Sequence, residues 1–235
     1  MYKRTAIFII MLFIPVFLAA QRAKPKNDSN YDDRLLHFGF SMGVNTMDFI
    51  AKMKTDSVKA EVVALKPGIN IQIVTDYRPS TYLDLRFLPG VSFGQRTINF
   101  YEKNGENTEK VYATQIESSF LEFPLSLKAK GMRLNNSRPY LIGGLNFRYD
   151  LAGKKEFDDP GVNGSESFIR LNKADLYYEV GAGIDFYLPY FKLTIEAKMS
   201  SGLRDVLNYN VGFPPYFNEI ESLKSQIWVL SFHFE

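Results

Sequence analysis

His37 and His233 are the only imidazoles in a chain of 235 residues that has no cysteine. Thiolate zinc sites, disulfide scaffolds and cysteine nucleophiles are therefore excluded. A Ser-His-acid arrangement remains conceivable, but it needs a histidine placed where a substrate arrives. Both histidines are expected to face inward near the periplasmic ends of the first and last strands, far from the long connections, so they read as hydrogen-bonded fillers at a seam where those two strands meet. The Gly181-Ala182-Gly183 run matches part of a dinucleotide fingerprint, yet no third glycine follows and the run lies within a strand. Asn163-Gly164-Ser165 matches a glycosylation acceptor in form only. What remains are acids and bases spread along the strands: Asp84, Arg86, Glu122, Lys128, Arg148, Glu179, Asp185, Lys192, Glu196 and Lys198. Glu122, ahead of Phe123-Pro124, is expected to pair with a nearby Arg or Lys. Their expected chemistry is mutual neutralisation, with no catalytic, cofactor or metal site.

The elements that must carry these charges show a period of two. Between residues 175 and 188, Leu176, Tyr178, Val180, Ala182, Ile184, Phe186 and Leu188 alternate with Asp175, Tyr177, Glu179, Gly181, Gly183, Asp185 and Tyr187. After a turn at Leu188-Pro189-Tyr190, the alternation resumes with Phe191, Leu193, Ile195, Ala197 and Met199 on one side and Lys192, Thr194, Glu196 and Lys198 on the other. Such alternation is the mark of β-strands with one apolar and one polar face. A secreted barrel of the lipocalin kind would turn the apolar faces inward; a transmembrane barrel turns them to lipid and the charges to the lumen.

Several features favour the membrane. Residues 1–20 combine a basic start, an apolar run and small residues before Gln21, the pattern of a secretory signal peptide cut after Ala20. No later run is long and apolar enough for a membrane helix, so an exported chain of this kind can span only as a barrel. A formal net charge of +2 gives no reason to expect nucleic acid as a partner. The polar segment 21–34 reads as a flexible periplasmic lead-in, and 35–235 as one all-β unit.

Eight antiparallel strands are expected, near residues 36–46, 69–77, 83–101, 119–128, 139–149, 175–188, 191–199 and 228–234. Asn104-Gly105 is a hairpin signal that extends the third strand and its return beyond the membrane. Pro89 interrupts that third strand with a residue unable to donate to a ladder. Connections after the second, fourth and sixth strands are short, and those after the first, third, fifth and seventh are long, the asymmetry of outer-membrane barrels with both termini in the periplasm. The apolar faces carry no charge along their central parts. Eight strands enclose a space that side chains fill, so paired charges are expected to close the lumen. Tyr77, Tyr140, Tyr149, Tyr178, Tyr190 and Trp228 lie near strand ends and are expected to form interfacial girdles.

Phe120-Leu121-Glu122-Phe123-Pro124-Leu125, Arg138-Pro139-Tyr140-Leu141, the run from Gly181 to Leu193 and the terminal Ser231-Phe232-His233-Phe234-Glu235 resemble the PorT family of outer-membrane β-barrel proteins. The resemblance extends over nearly the whole mature chain. It implies a non-enzymatic role in the type IX secretion system, in some bacteria supporting gliding motility, with outer-membrane lipid, other secretion components and the barrel-assembly machinery, through the C-terminal strand, as partners. The alternative expectation is a small outer-membrane barrel with a surface-binding or structural role; a lipid-modifying enzyme ranks below both.

Overall fold

Among the described residues, alternating side chains along extended backbone build ten strands that merge into one antiparallel sheet. The computed structural model describes residues 27, 31–54, 58–62, 66–104, 107–151, 171–207 and 220–235. The expected signal peptide, Asn163-Gly164-Ser165 and Gly105 lie outside the described residues. The strands are β1 (Leu36–Met53), β2 (Val58–Val62), β3 (Pro67–Ser80), β4 (Leu83–Phe87), β5 (Gly90–Asn104), β6 (Asn107–Lys130), β7 (Ser137–Asp150), β8 (Ala174–Tyr187), β9 (Lys192–Gly202) and β10 (Ile220–Phe234).

β1 pairs with β10 on one side and with β3 on the other, so the sheet closes on itself. β4 and β5 both run between β3 and β6 and form a single stave interrupted at Leu88-Pro89. The ring therefore has eight staves. Pro89 has no N–H to give, but its carbonyl still accepts from Ile73 N at 2.9 Å, and Leu88 N donates to Pro124 O at 3.2 Å, so the ladder continues through the break.

Register fixes the tilt. From Val44, cross-strand partners lead through Leu230, Ala197, Ala182, Leu141 and Ala129 to Leu83. In the other direction Val44 leads through Ile69 to Phe93 on the same stave. The two routes meet ten residues apart, the shear of the barrel. With ~3.3 Å per residue and ~4.8 Å between strands, that shear tilts the strands by about 40° around a backbone cylinder of about 8 Å radius. Opposed side chains from such a wall meet at the axis.

The outer surface is an apolar belt. Phe38, Phe40, Met42, Val44, Ile69, Ile71, Ile73, Leu125, Leu127, Leu141, Leu145, Val180, Ile184 and Leu230 are all exposed there. Rings stack on it, Phe40 on Phe234 at 4.9 Å between centroids. Tyr77, Tyr149 and Tyr178 are exposed near strand ends, as expected, and Tyr190 is exposed in the tight turn between β8 and β9; Trp228 is exposed too, but β10 starts eight residues before the strand expected over 228–234, which puts Trp228 in mid-strand. Tyr140 departs from its expected place: it shares parity with Ile142 and Arg148 on β7, faces the lumen and is buried.

Three further differences stand out. β1 runs on to Met53, seven residues beyond the strand expected over 36–46. The long connection expected after the first strand contains β2, which pairs with β5. The expected hairpin at Asn104 forms the limit of a β5–β6 ladder that reaches Asn104 and Asn107. At the opposite end the turns are tight: Thr81-Tyr82 after β3, a turn after β6 in which Asn135 takes φ of 54°, and residues 188–191 after β8. Asn tolerates that left-handed conformation better than most residues. Among the described residues no helix is long and apolar enough to cross a membrane.

Candidate functional site: a charged plug and its two closures

Alternation on a closed wall forces every second side chain into the lumen, and there the charges meet in two linked layers. In the layer nearer the termini, Arg86 on β4 is fully buried and donates from Nε and Nη2 to the two carboxylate oxygens of Asp76 on β3, at 2.7 and 2.6 Å. Nη2 also reaches Glu235 Oε1 at 2.9 Å, and Nη1 reaches Glu196 Oε2 at 3.4 Å. The Tyr140 hydroxyl donates to the same Glu196 oxygen at 2.7 Å. Lys128 donates to Asp185 at 2.8 Å, Thr194 to the same oxygen at 2.6 Å, and Lys192 to Glu235 Oε2 at 2.8 Å. Lys130 pairs with Asp84 at the rim. Lys128 Nζ lies over the Tyr140 ring, 4.0 Å from its centre. Gly183 on β8 leaves room for that ring: a Cβ there would stand 2.4 Å from the Tyr140 hydroxyl oxygen. The Gly-Ala-Gly run thus serves packing within a strand.

The second layer centres on Arg148 of β7. Nε donates to Glu122 at 2.8 Å, Nη2 to Glu179 at 3.1 Å and Nη1 to the Ser200 hydroxyl at 2.7 Å. Gln72 and Ser92 complete the Glu122 carboxylate, and Asn146 and Ser200 donate to Glu179. Lys198 joins the layers, 2.8 Å from Glu179 Oε2 and 3.9 Å from Glu196 Oε1. All ten charged residues singled out in the sequence therefore face the lumen and have partners of opposite sign. Glu122 takes Arg148, as expected of it.

Buried charges persist only when paired and hydrogen-bonded, because each isolated ion in a low-dielectric interior costs several kcal/mol. Two spaces of about 10 Å³ each, room for a single water, lie beside this network. One borders Asn45, Asn70 and Gln72, where Asn45 Oδ1 and Asn70 Oδ1 have no protein partner.

The histidines separate. His233 on β10 is fully buried, with Nε2 3.7 Å from Glu196 Oε2. His37 lies nearer the rim, its Nε2 2.9 Å from the Tyr31 carbonyl oxygen. Both sit at the seam, but only His37 is the hydrogen-bonded filler expected; neither ring nitrogen of His233 has a hydrogen-bond partner among the described residues. Among the described residues no group of three His, Asp or Glu side chains could hold a metal ion.

Closures stand at both ends. At the end that carries the termini, Tyr31–Asp33 forms a 3₁₀ turn, so the flexible segment expected over 21–34 is structured here. The Tyr31 ring is buried, stacks on His37 at 4.0 Å and meets Tyr187 edge-on at 5.7 Å. Its hydroxyl donates to Glu235 Oε2 at 3.0 Å. Burial pushes the Tyr31 hydroxyl far above the usual phenol range; the Lys192 ammonium opposes this and the Glu235 carboxylate adds to it.

At the other end, inward side chains turn apolar. Phe49, Ile98, Phe100, Ile116, Ile220 and Leu223 form one buried cluster with Val206 and Leu207, which come from the segment after β9. That segment is held by Asp205, whose Oδ1 accepts from Leu207 N at 3.0 Å and Leu223 N at 3.1 Å. Asn172 crosses to it, its backbone N–H donating to Val206 O at 2.8 Å. Between cap and plug, Arg96 donates to Ser225 at 2.8 Å and lies over the rings of Phe49 and Phe120.

Asp76, Glu235, Tyr140, Tyr31, Arg96 and Asp205 were not among the candidate residues read from sequence. Parity along the strand marks Asp76, Tyr140 and Glu235 as inward; nothing periodic marks Tyr31 or Asp205.

Residues 19–208 match the family described as outer membrane protein beta-barrel domain. No curated protein sequence matches the chain. Among solved structures, the chain is similar to the outer membrane protein OprG from Pseudomonas aeruginosa at 15% identity, over 85% of this chain and 92% of that one, with a TM-score of 0.44. It is also similar to Ail, the attachment invasion locus protein of Yersinia pestis, solved with the heparin analogue sucrose octasulfate, at 14% identity, 84% and 96% coverage and a TM-score of 0.36. For the outer membrane protein AlkL the values are 12% identity, 92% and 91% coverage and a TM-score of 0.36.

Proposed function

The chain belongs to the outer membrane protein beta-barrel domain family, and on that premise we propose that it is a non-enzymatic accessory component of protein secretion, of the type IX kind, that works through its surfaces and not through its lumen. The observation that carries the lumen half of this reading is the plug: Arg86 and Arg148 each bridge carboxylates from different staves across a backbone cylinder of about 8 Å radius. A folded cargo does not pass such a space. The secretion half is supported by the sequence motifs shared with the PorT family, above all the Tyr187-Leu188-Pro189-Tyr190-Phe191-Lys192-Leu193 turn and the Phe232-His233-Phe234-Glu235 end.

In this reading the short turns and both termini face the periplasm, the apolar belt meets outer-membrane lipid, and β10 is the strand presented to the assembly machinery. A non-enzymatic role is supported by the histidines, both enclosed near the terminal end, away from the long connections. Deleting the gene and restoring it tests the proposal. Proteins with C-terminal sorting domains should accumulate in the periplasm on deletion, other outer-membrane proteins should stay normal, and restoration should reverse the defect. Unchanged export would overturn it.

A second reading is a surface-binding barrel. It is favoured by the height of β1, β5, β6 and β10, which continue past the apolar belt as a sheet to which β2 is added. Shortening the β5–β6 hairpin separates the two: binding to cells or matrix falls in one case, export in the other.

A further inference from the structure

The mouth of the barrel at the terminal end holds one aromatic ring in a pocket assembled from four staves. His37 comes from β1, Tyr187 ends β8, Lys192 opens β9 and Glu235 follows β10. Each makes a different contact with Tyr31: a stacked face at 4.0 Å from His37, an edge at 5.7 Å from Tyr187, an ammonium 4.6 Å above the ring from Lys192, and a carboxylate accepting the hydroxyl proton at 3.0 Å from Glu235. Aromatic faces attract cations, and a phenol buried beside a carboxylate needs its O–H satisfied, so the pocket matches a tyrosine on each count.

Tyr31 enters the pocket from its turn. Asp33, Arg34 and Leu35 beside it are exposed, Leu35 at 63%. A turn of three residues has little stability of its own. A second fastening lies further back, where Asn27 N donates to Asn136 Oδ1 at 2.8 Å, Asn27 Nδ2 donates to Tyr187 O at 3.0 Å, and Arg133 donates to the Asn27 carbonyl. Asn27 and Tyr31 are thus each fastened to the rim.

We propose that this pocket is a tyrosine socket that takes the chain's own Tyr31 as its key, and so straps the turn Tyr31–Asp33 across the terminal mouth of the barrel. The socket exists only when β1 and β10 have joined, because His37 and Glu235 approach Tyr31 from opposite sides of that seam. Docking is therefore a late step that follows ring closure. It is also reversible without opening the barrel, since no ladder hydrogen bond of the wall depends on it. This holds whether or not the secretion reading stands.

Limited trypsin cleavage after Arg34 tests the strap in the full-length mature protein, folded in detergent micelles where the rim is accessible. Heat-dependent gel migration confirms that each variant is a closed barrel. Tyr31→Ala should raise the rate at which chains beginning with Leu35 appear by about tenfold or more, as local protection is lost. Tyr31→Phe keeps the ring contacts but not the hydroxyl bond to Glu235, and should raise it by only a few fold. Asn136→Ala, which removes the acceptor of the Asn27 N–H in the second fastening, gives a further arm with a few-fold rise expected. Equal cleavage in the wild type, Tyr31→Ala and Asn136→Ala overturns the proposal, and so does a Tyr31→Phe variant cut as fast as Tyr31→Ala.

Discussion

Two stretches of one wall solve opposite problems. Along β5, the inward residues Ser92 and Arg96 give way to Ile98 and Phe100; along β6, moving the same way, Lys128, Ser126 and Glu122 give way to Phe120 and Ile116. The backbone, the parity and the pairing do not change. What changes is the medium outside. Where the outer face carries Phe93, Leu125 and Leu127 against lipid, the inner face can be polar, because the charges there find one another. Where the wall passes beyond the belt and water lies outside, the interior becomes an ordinary apolar core. Side-chain polarity is set by what lies across the wall from it, not by a rule that inside means apolar.

The two interiors should fail in different ways. Arg86→Ala removes a cation that faces Asp76, Glu196 and Glu235 together, and leaves their carboxylates buried without it. Breaking a buried pair by removing one partner costs about 3–5 kcal/mol. The expected outcome is a large drop in the urea midpoint of the whole barrel, followed by the fluorescence of Trp228, the only tryptophan. An unchanged midpoint would mean that the plug is ornamental to stability. Leu223→Ala, in the cap, should cost about 2–5 kcal/mol by the cavity it leaves, but locally. Leu223 packs with Val206 and Leu207, so the expected readout is faster amide exchange in residues 203–207, with a smaller change in the Trp228 transition than Arg86→Ala gives.

The same contrast explains what could be read from the sequence. The eight staves, their order and the lumen charges follow from alternation plus an uncharged outer face, and the matches are close along β8 and β9. The outward face of β1 is uniformly apolar only as far as Val44, which is why a strand over 36–46 is expected. Asp48, Ile50 and Lys52 face out beyond it, while Met47 and Phe49 face in. The period of two continues; the inward face turns apolar and the outward face mixed, so the strand is legible once the change of medium is allowed for. Tyr140 has the type of a girdle residue, but its parity with Ile142 and Arg148 puts it inside. Tyr31 and Asp205 lie beyond such reasoning. Tyr31 acts through Tyr187, Lys192 and Glu235, which lie far away in the chain, and Asp205 through the backbone N–H groups of Leu207 and Leu223; both stand on segments too short to show a period.

Asp205 offers the finest test of where plug ends and cap begins. Its carboxylate oxygen accepts from two backbone N–H groups, of Leu207 on its own segment and of Leu223 on β10, and so ties the cap to the wall. Asp205→Ala leaves both N–H groups without that acceptor, a loss of about 1–3 kcal/mol where the donors stay buried. Leu207 and Leu223 are both buried, so the loss should be felt in full by the cap. None of the plug's ion pairs involves Asp205, and sites without shared partners are additive to within about 0.5 kcal/mol. The double variant Arg86→Ala, Asp205→Ala should therefore show the sum of the two single effects in its urea midpoint, whereas Leu223→Ala with Asp205→Ala should show less than the sum, since both loosen one contact. Strong coupling between Arg86 and Asp205 would mean that the charged and apolar interiors form one cooperative unit, joined through Arg96, and that the change of medium outside the wall does not divide the inside into two.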